Sequence, residues 1–160
     1  MIASRASGPA VFLALSVMSG CSSGNQADAQ DSKNVVTLAN GVEVPILPGV
    51  KLQPVCEAFG QKLPDAPGNV CLEFPRALAL AGKGQDIQNQ YAKLLTGRGF
   101  TWGGGASIQY WLRWPLANGC SQRFTLSTLP KAKIEGDDWT IAETFVLVMG
   151  FEPPECESKP

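Results

Sequence analysis

Ala106-Ser107-Ile108-Gln109-Tyr110-Trp111-Leu112-Arg113-Trp114-Pro115 decides the fold class. Ile108, Tyr110, Leu112 and Trp114 fall on one side of an extended chain, with Gln109, Trp111 and Arg113 on the other. A period of two is the mark of a strand with one face on a core. Residues 116–119 turn the chain. Residues 122–129 then alternate again, Phe124, Leu126 and Thr128 against Arg123, Thr125 and Ser127. Residues 131–138 form a polar loop, and 139–151 read as the last strand. Its run Val146-Leu147-Val148-Met149 is apolar without a break, which predicts a central strand covered on both faces. On the other side, residues 100–102 lead into Gly103-Gly104-Gly105, which reads as a turn.

Residues 85–98 supply the helix that such a sheet needs. Ile87, Tyr91, Leu94 and Leu95 recur at helical spacing and make one apolar stripe. Asp86 and Arg98 suit the two ends of the helix dipole, and Gly97 and Gly99 offer a left-handed C-terminal cap. Tyr91, Leu94, Leu95, Gly99 and Phe100 together resemble the Y-x-x-L-x-x-x-G-[FW] helix end of small envelope lipoproteins with a βαβ-type domain. The resemblance covers about ten residues, implies architecture only and carries no site residue.

Ahead of the helix, residues 34–46 read as a hairpin turning at Asn40-Gly41, the preferred pair for a two-residue type I′ turn. Pro45 cannot donate to a ladder, so the second arm ends there or sits at an edge. Residues 55–62 are read as a short helix inside a Pro-rich loop, and 65–68 as a turn. Residues 70–74 alternate as a short strand that Pro75 interrupts; 76–81 fit either helix or strand. The sum is an α+β domain. One main amphipathic helix packs on an antiparallel sheet of about four to five strands, stapled by disulfides.

The N-terminus says where such a domain lives. Arg5 is the only charge before Cys21, and a nine-residue apolar run, 10–18, leads to Met18-Ser19-Gly20-Cys21. This is a secretory signal pattern, and the run is too short to cross a bilayer as a helix. Met18-Ser19-Gly20-Cys21 resembles the lipobox of bacterial lipoproteins. The resemblance implies that 1–20 is removed, that Cys21 is acylated with palmitate-type chains, and that the protein is a membrane-bound lipoprotein. Ser22, rather than Asp, implies the outer membrane over the inner in a Gram-negative cell, with the domain facing the periplasm. Residues 21–33 hold no large apolar side chain and read as a flexible tether, leaving 34–160 as a single domain.

Cleavage would leave 12 basic and 14 acidic residues with no basic cluster, which argues against nucleic acid. The chain has no histidine, so the commonest general base and metal ligand are missing. With Cys21 assigned to lipid, Cys56, Cys71, Cys120 and Cys156 remain for two disulfides. Four cysteines allow three pairings. The short Pro/Gly-rich loop between them favours Cys56 with Cys71, which leaves Cys120 with Cys156. A Cys₄ metal site would want a C-x-x-C pair, and none is present.

Three clusters are candidates for a site. Trp102, Tyr110, Trp111, Trp114 and Trp139 crowd one half of the chain. Trp111 and Arg113 on the outward face of their strand would form a binding surface for an envelope protein or glycan; the competing reading is packing. Glu135, Asp137 and Asp138 form an acidic loop, read as solvated rather than as a Ca²⁺ site or a glycosidase pair. Gly103-Gly104-Gly105 lacks the Lys-Ser/Thr that a phosphate loop needs. The expectation is a lipid-anchored, non-enzymatic binding module without cofactor or metal. The alternatives are a carboxylate-dependent envelope glycan hydrolase and a purely structural or assembly lipoprotein.

Overall fold

The structure is a computed structural model that describes residues 34–82, 84, 86–136 and 138–156. The expected signal peptide 1–20, the expected lipidation site Cys21 and the expected tether 21–33 lie outside the described residues, as do Lys83, Gln85, Asp137 and the last four residues of the chain.

The core is one sheet of six antiparallel strands, one or two more than expected, so the domain is dominated by its sheet. The strands are β3 (Lys51–Gln53), β6 (Val70–Pro75), β7 (Thr101–Ala106), β8 (Gln109–Pro115), β9 (Cys120–Pro130) and β10 (Thr144–Cys156). Their order across the sheet is β3-β6-β10-β9-β8-β7. Two hairpins stand apart from it, β1 (Val35–Thr37) with β2 (Glu43–Pro45), and β4 (Glu57–Ala58) with β5 (Gln61–Lys62). The helices are the single turn α1 (Arg76–Ala79) and α2 (Ile87–Thr96).

Helix α2 forms where its stripe predicts. The Asp86 side chain caps it by accepting the Asn89 N–H at 3.0 Å. Ile87, Tyr91 and Leu95 are buried on the sheet against Leu112, Phe124 and Leu126, and the same core takes in Leu72, Phe74, Leu147 and Met149. Each such side chain contributes about 1.5–3 kcal/mol by leaving water. At the C-terminus only Gly99 is left-handed, with φ 97°; Gly97 stays in the helical region with φ −64°. The fully buried Tyr91 also reaches across to the first hairpin. Its hydroxyl donates to the Pro45 carbonyl at 3.1 Å and accepts the Leu47 N–H at 3.2 Å.

The expected central strand is β10, paired with β6 on one side and β9 on the other. Phe145, Leu147 and Met149 face the helix. Val146, on the opposite face, is buried as well. Its cover comes from the β4–β5 hairpin, which the Cys56–Cys71 disulfide ties to β6. The second disulfide, Cys120–Cys156, closes the far ends of β9 and β10, where the two cysteines are direct cross-strand partners.

Several local expectations are corrected. The first hairpin turns through three residues, Ala39, Asn40 and Gly41, with Leu38 N–H bonded to the Val42 carbonyl at 2.9 Å. Gly41 alone has positive φ, 81°, so Asn40-Gly41 is not a type I′ pair. Residues 55–62 form the β4–β5 hairpin and not a helix, and positive φ at two successive residues occurs here, at Phe59 (54°) and Gly60 (71°). Gly103-Gly104-Gly105 lies within β7; the turn is Ser107-Ile108. Residues 139–141 are a 3₁₀ turn, and β10 runs on through a bulge to Cys156 where a tail was expected.

Candidate functional site

The outer face of β8, turned away from α2, carries Gln109, Trp111 and Arg113. Trp111 stands opposite Thr125 of β9, and Arg113 opposite Arg123. The expected alternation therefore places Trp111 and Arg113 side by side on the solvent side of the sheet.

The glycine run explains the position of Trp111. The strand is bulged between Trp102 and Gly104, so Gly103 and Gly104 both lie beside Trp111. A Cβ on Gly103 would sit 2.5 Å from Trp111 Cδ1, and one on Gly104 would sit 2.5 Å from Cζ2. The five-membered ring thus lies over Gly103 and the six-membered ring over Gly104. Any side chain at either position would displace the indole. Gly105 does the same for Tyr110 on the other face, where a Cβ would come 2.5 Å from the Tyr110 ring. The edge of the sheet is a bare ribbon between two aromatic side chains. Trp111 stays half-buried in this bed, so it is at once packing for β7 and part of the surface.

Arg113 is exposed, and its cross-strand neighbour Arg123 carries the same charge. Arginines directly opposite each other on one face repel. The charge of Arg123 is answered by Glu152 at 3.6 Å and Glu155 at 3.3 Å. Among the described residues no carboxylate lies within ion-pair distance of Arg113. Arg113 lines a cleft of about 330 Å³ with Thr101, Pro115, Leu116, Cys120, Ser121 and Glu155.

Trp102 was grouped with the other tryptophans but not singled out by its alternation. It is 56% exposed, the largest exposure of any large apolar side chain among the described residues, and it meets Tyr110 edge-on at 5.1 Å. Its register partner is Leu112, so it belongs to the helix-side face, at the margin that α2 leaves uncovered. Trp114 packs on Phe100 at 4.8 Å, and Trp139 meets Phe59 edge-on at 5.3 Å. The tryptophans that crowd the sequence therefore do not form one cluster.

A second cleft, of about 660 Å³, lies between the β4–β5 hairpin and residues 131–144. Glu57, Lys133, Glu135 and Glu143 line it over an apolar floor that includes Ile134, Ile141 and Ala142. Lys131 at its rim is ion-paired to Glu73, whose hydrogen bond raises the lysine pKa above its ordinary value. Of the acidic loop, Glu135 is exposed on this cleft, whereas Asp138 is engaged locally. The Asp138 carboxylate accepts from the Thr140 hydroxyl at 2.5 Å and from its N–H at 3.0 Å, which holds its pKa below the usual carboxylate value. That suits a capping residue and not a proton donor. Among the described residues there is no group of three Cys, Asp or Glu side chains placed to hold a metal ion.

No protein-family model, curated protein or solved structure matches this chain.

Proposed function

We propose that this protein is a lipid-anchored, non-catalytic binding module of the bacterial cell envelope. Cys21 would carry the lipid, residues 21–33 the tether, and the outer face of β8 the contact surface. The observation that carries the reading is Arg113, an exposed guanidinium without a carboxylate partner among the described residues, two residues from an indole in a glycine bed. Arg and Trp are the side chains that binding hot spots favour. Support for the location comes from Met18-Ser19-Gly20-Cys21 and from two disulfides, which belong to an oxidising compartment. By the same resemblance the outer membrane is favoured over the inner in a Gram-negative cell, with the domain in the periplasm.

The test has two arms. Fractionation of cells expressing the chain should place it in membranes and release Cys21→Ser into the soluble fraction; a Cys21→Ser variant that stays in membranes refutes the anchor. Crosslinking of the full chain in intact envelopes should give a defined adduct that Arg113→Glu abolishes without lowering the melting temperature. An adduct indifferent to Arg113→Glu refutes the surface.

A further inference from the structure

We propose that the ligand of this surface is a carboxylate-bearing saccharide, its carboxylate on the Arg113 guanidinium and a sugar ring against the Trp111 indole. The proposal depends on the binding surface described above and names its ligand class.

Three observations lead to it. The first is charge. Arg123 holds Glu152 and Glu155, and Arg113 opposite it holds no carboxylate among the described residues. A guanidinium is the group that recognises a carboxylate in two-point geometry. The second is spacing. Trp111 and Arg113 lie two residues apart on one strand face, about 7 Å. The indole is held by Gly103 and Gly104 and so needs no reordering on binding.

The third is the surroundings. Thr101 and Ser121 line the cleft beside Arg113, and Thr125 stands opposite Trp111. A polyol with one apolar ring face meets hydroxyls and one aromatic here, beside the Glu155 carboxylate that Arg123 holds. A protein partner would need about 800 Å² of surface on this side. The exposed large apolar residues that would core such an interface are scattered over other elements, at Val35, Leu52, Val55, Leu80, Trp102, Ile108 and Ile141. Of these, Leu52 lies on the opposite edge strand, and Trp102 is paired with Leu112 on the helix-side face.

The experiment is calorimetric titration of the full chain with tetragalacturonate and with the same tetrasaccharide methyl-esterified, which removes the charge and keeps the rings. The acid form should bind at least about tenfold more tightly than the ester, the range a charged hydrogen bond supplies. Its affinity should fall with added salt. Arg113→Ala should bring the acid down to the level of the ester, leave the ester unchanged, and keep the melting temperature, because it relieves the Arg113–Arg123 repulsion. Arg113→Lys should recover part of the difference. Equal binding of acid and ester, or full acid binding by Arg113→Ala, overturns the assignment of the carboxylate to Arg113 and leaves the surface standing. Failure of both sugars to bind, alongside a protein adduct that requires Arg113, overturns the saccharide and leaves the surface. Failure of both sugars with no Arg113-dependent adduct overturns the ligand and the surface together.

Discussion

Replacing Tyr91 by Phe is the substitution that most directly tests how the first hairpin is held on the helix. The ring of Tyr91 is fully buried in the core, and Phe keeps that apolar contact. What is lost is one oxygen that serves two backbone groups, the Pro45 carbonyl at 3.1 Å and the Leu47 N–H at 3.2 Å. Each neutral hydrogen bond contributes about 1 kcal/mol net, and a buried group left without a partner costs about 1–3 kcal/mol. Water reaching one of the two groups would lower the total, so the expected loss is about 1.5–3 kcal/mol. For a domain of this size 1 kcal/mol shifts the melting temperature by about 4 °C, which predicts a drop of about 6–12 °C. Thermal unfolding followed by near-ultraviolet circular dichroism gives the number. Amide exchange gives the place, since Leu47 N–H should lose protection more than the β9 and β10 amides do. A loss below about 0.5 kcal/mol, or an unchanged Leu47 exchange rate, would show that the hairpin is held by its apolar contacts alone and that the hydroxyl is incidental.

Two further perturbations follow from the same structure. Removing Cys56–Cys71 by a double Ser substitution should cost about 3 kcal/mol for a 15-residue separation, and removing Cys120–Cys156 about 4 kcal/mol for 36 residues, on the chain-entropy account. Chemical denaturation checks both, and a larger loss from the shorter loop would show that clamping the β4–β5 hairpin over Val146 matters more than chain entropy. On the alkaline side, burial raises the Tyr91 pKa above 10.0, and the Glu73 hydrogen bond raises that of Lys131 above 10.5. Both groups hold their protons more tightly folded than unfolded. Their contribution is complete below pH 10 and is lost as pH rises through the folded values. The urea midpoint should fall from pH 9 to pH 11, less steeply in Tyr91→Phe. A flat or rising midpoint contradicts the sign.

Much of the sheet was legible because its signals are local. Leu112, Phe124, Leu126, Leu147 and Met149 are all buried where alternation or an unbroken apolar run puts them. Helix α2 obeys its stripe for the same reason. The failures share the opposite cause. Phe59 adopts a left-handed conformation that its side chain disfavours. It does so because its N–H binds the Pro130 carbonyl at 2.8 Å, its ring meets Trp139, and Gly60 N–H binds the Lys131 carbonyl at 2.7 Å. None of these partners lies within 70 residues, so 55–62 reads as a helix by its local pattern and folds as a hairpin by its distant contacts. Gly103-Gly104-Gly105 misleads in the same way, since three glycines in a row usually mark a turn. Their use as a bed for Trp111 and Tyr110 is visible only once β7 and β8 are paired. Of the proposed surface, the shared face of Trp111 and Arg113 was readable. The pairing of both carboxylates with Arg123 was not, because the facing of Arg123 and the approach of Glu152 and Glu155 depend on register across three strands.

The two ends of the outer face also explain why Arg113 is a better probe than Trp111. Over β6 and β10 that face is closed, with Val146 buried beneath a hairpin held by Cys56–Cys71. Over β8 and β9 it is mixed, with Trp111, Pro115 and Leu129 among polar side chains, and the indole there fills space that the glycines of β7 leave empty. Trp111→Ala would remove both a surface element and the packing of an edge strand, so a lost ligand and a loosened β7 would look alike. Arg113 has no such double role: it is exposed, fills no cavity and faces a like charge. A sheet selected only for stability would favour an acid or a threonine at that position, giving Arg123 a neutral or attractive partner. With both nearby carboxylates drawn to Arg123, the Arg113 guanidinium is left facing solvent, where the proposed ligand would meet it.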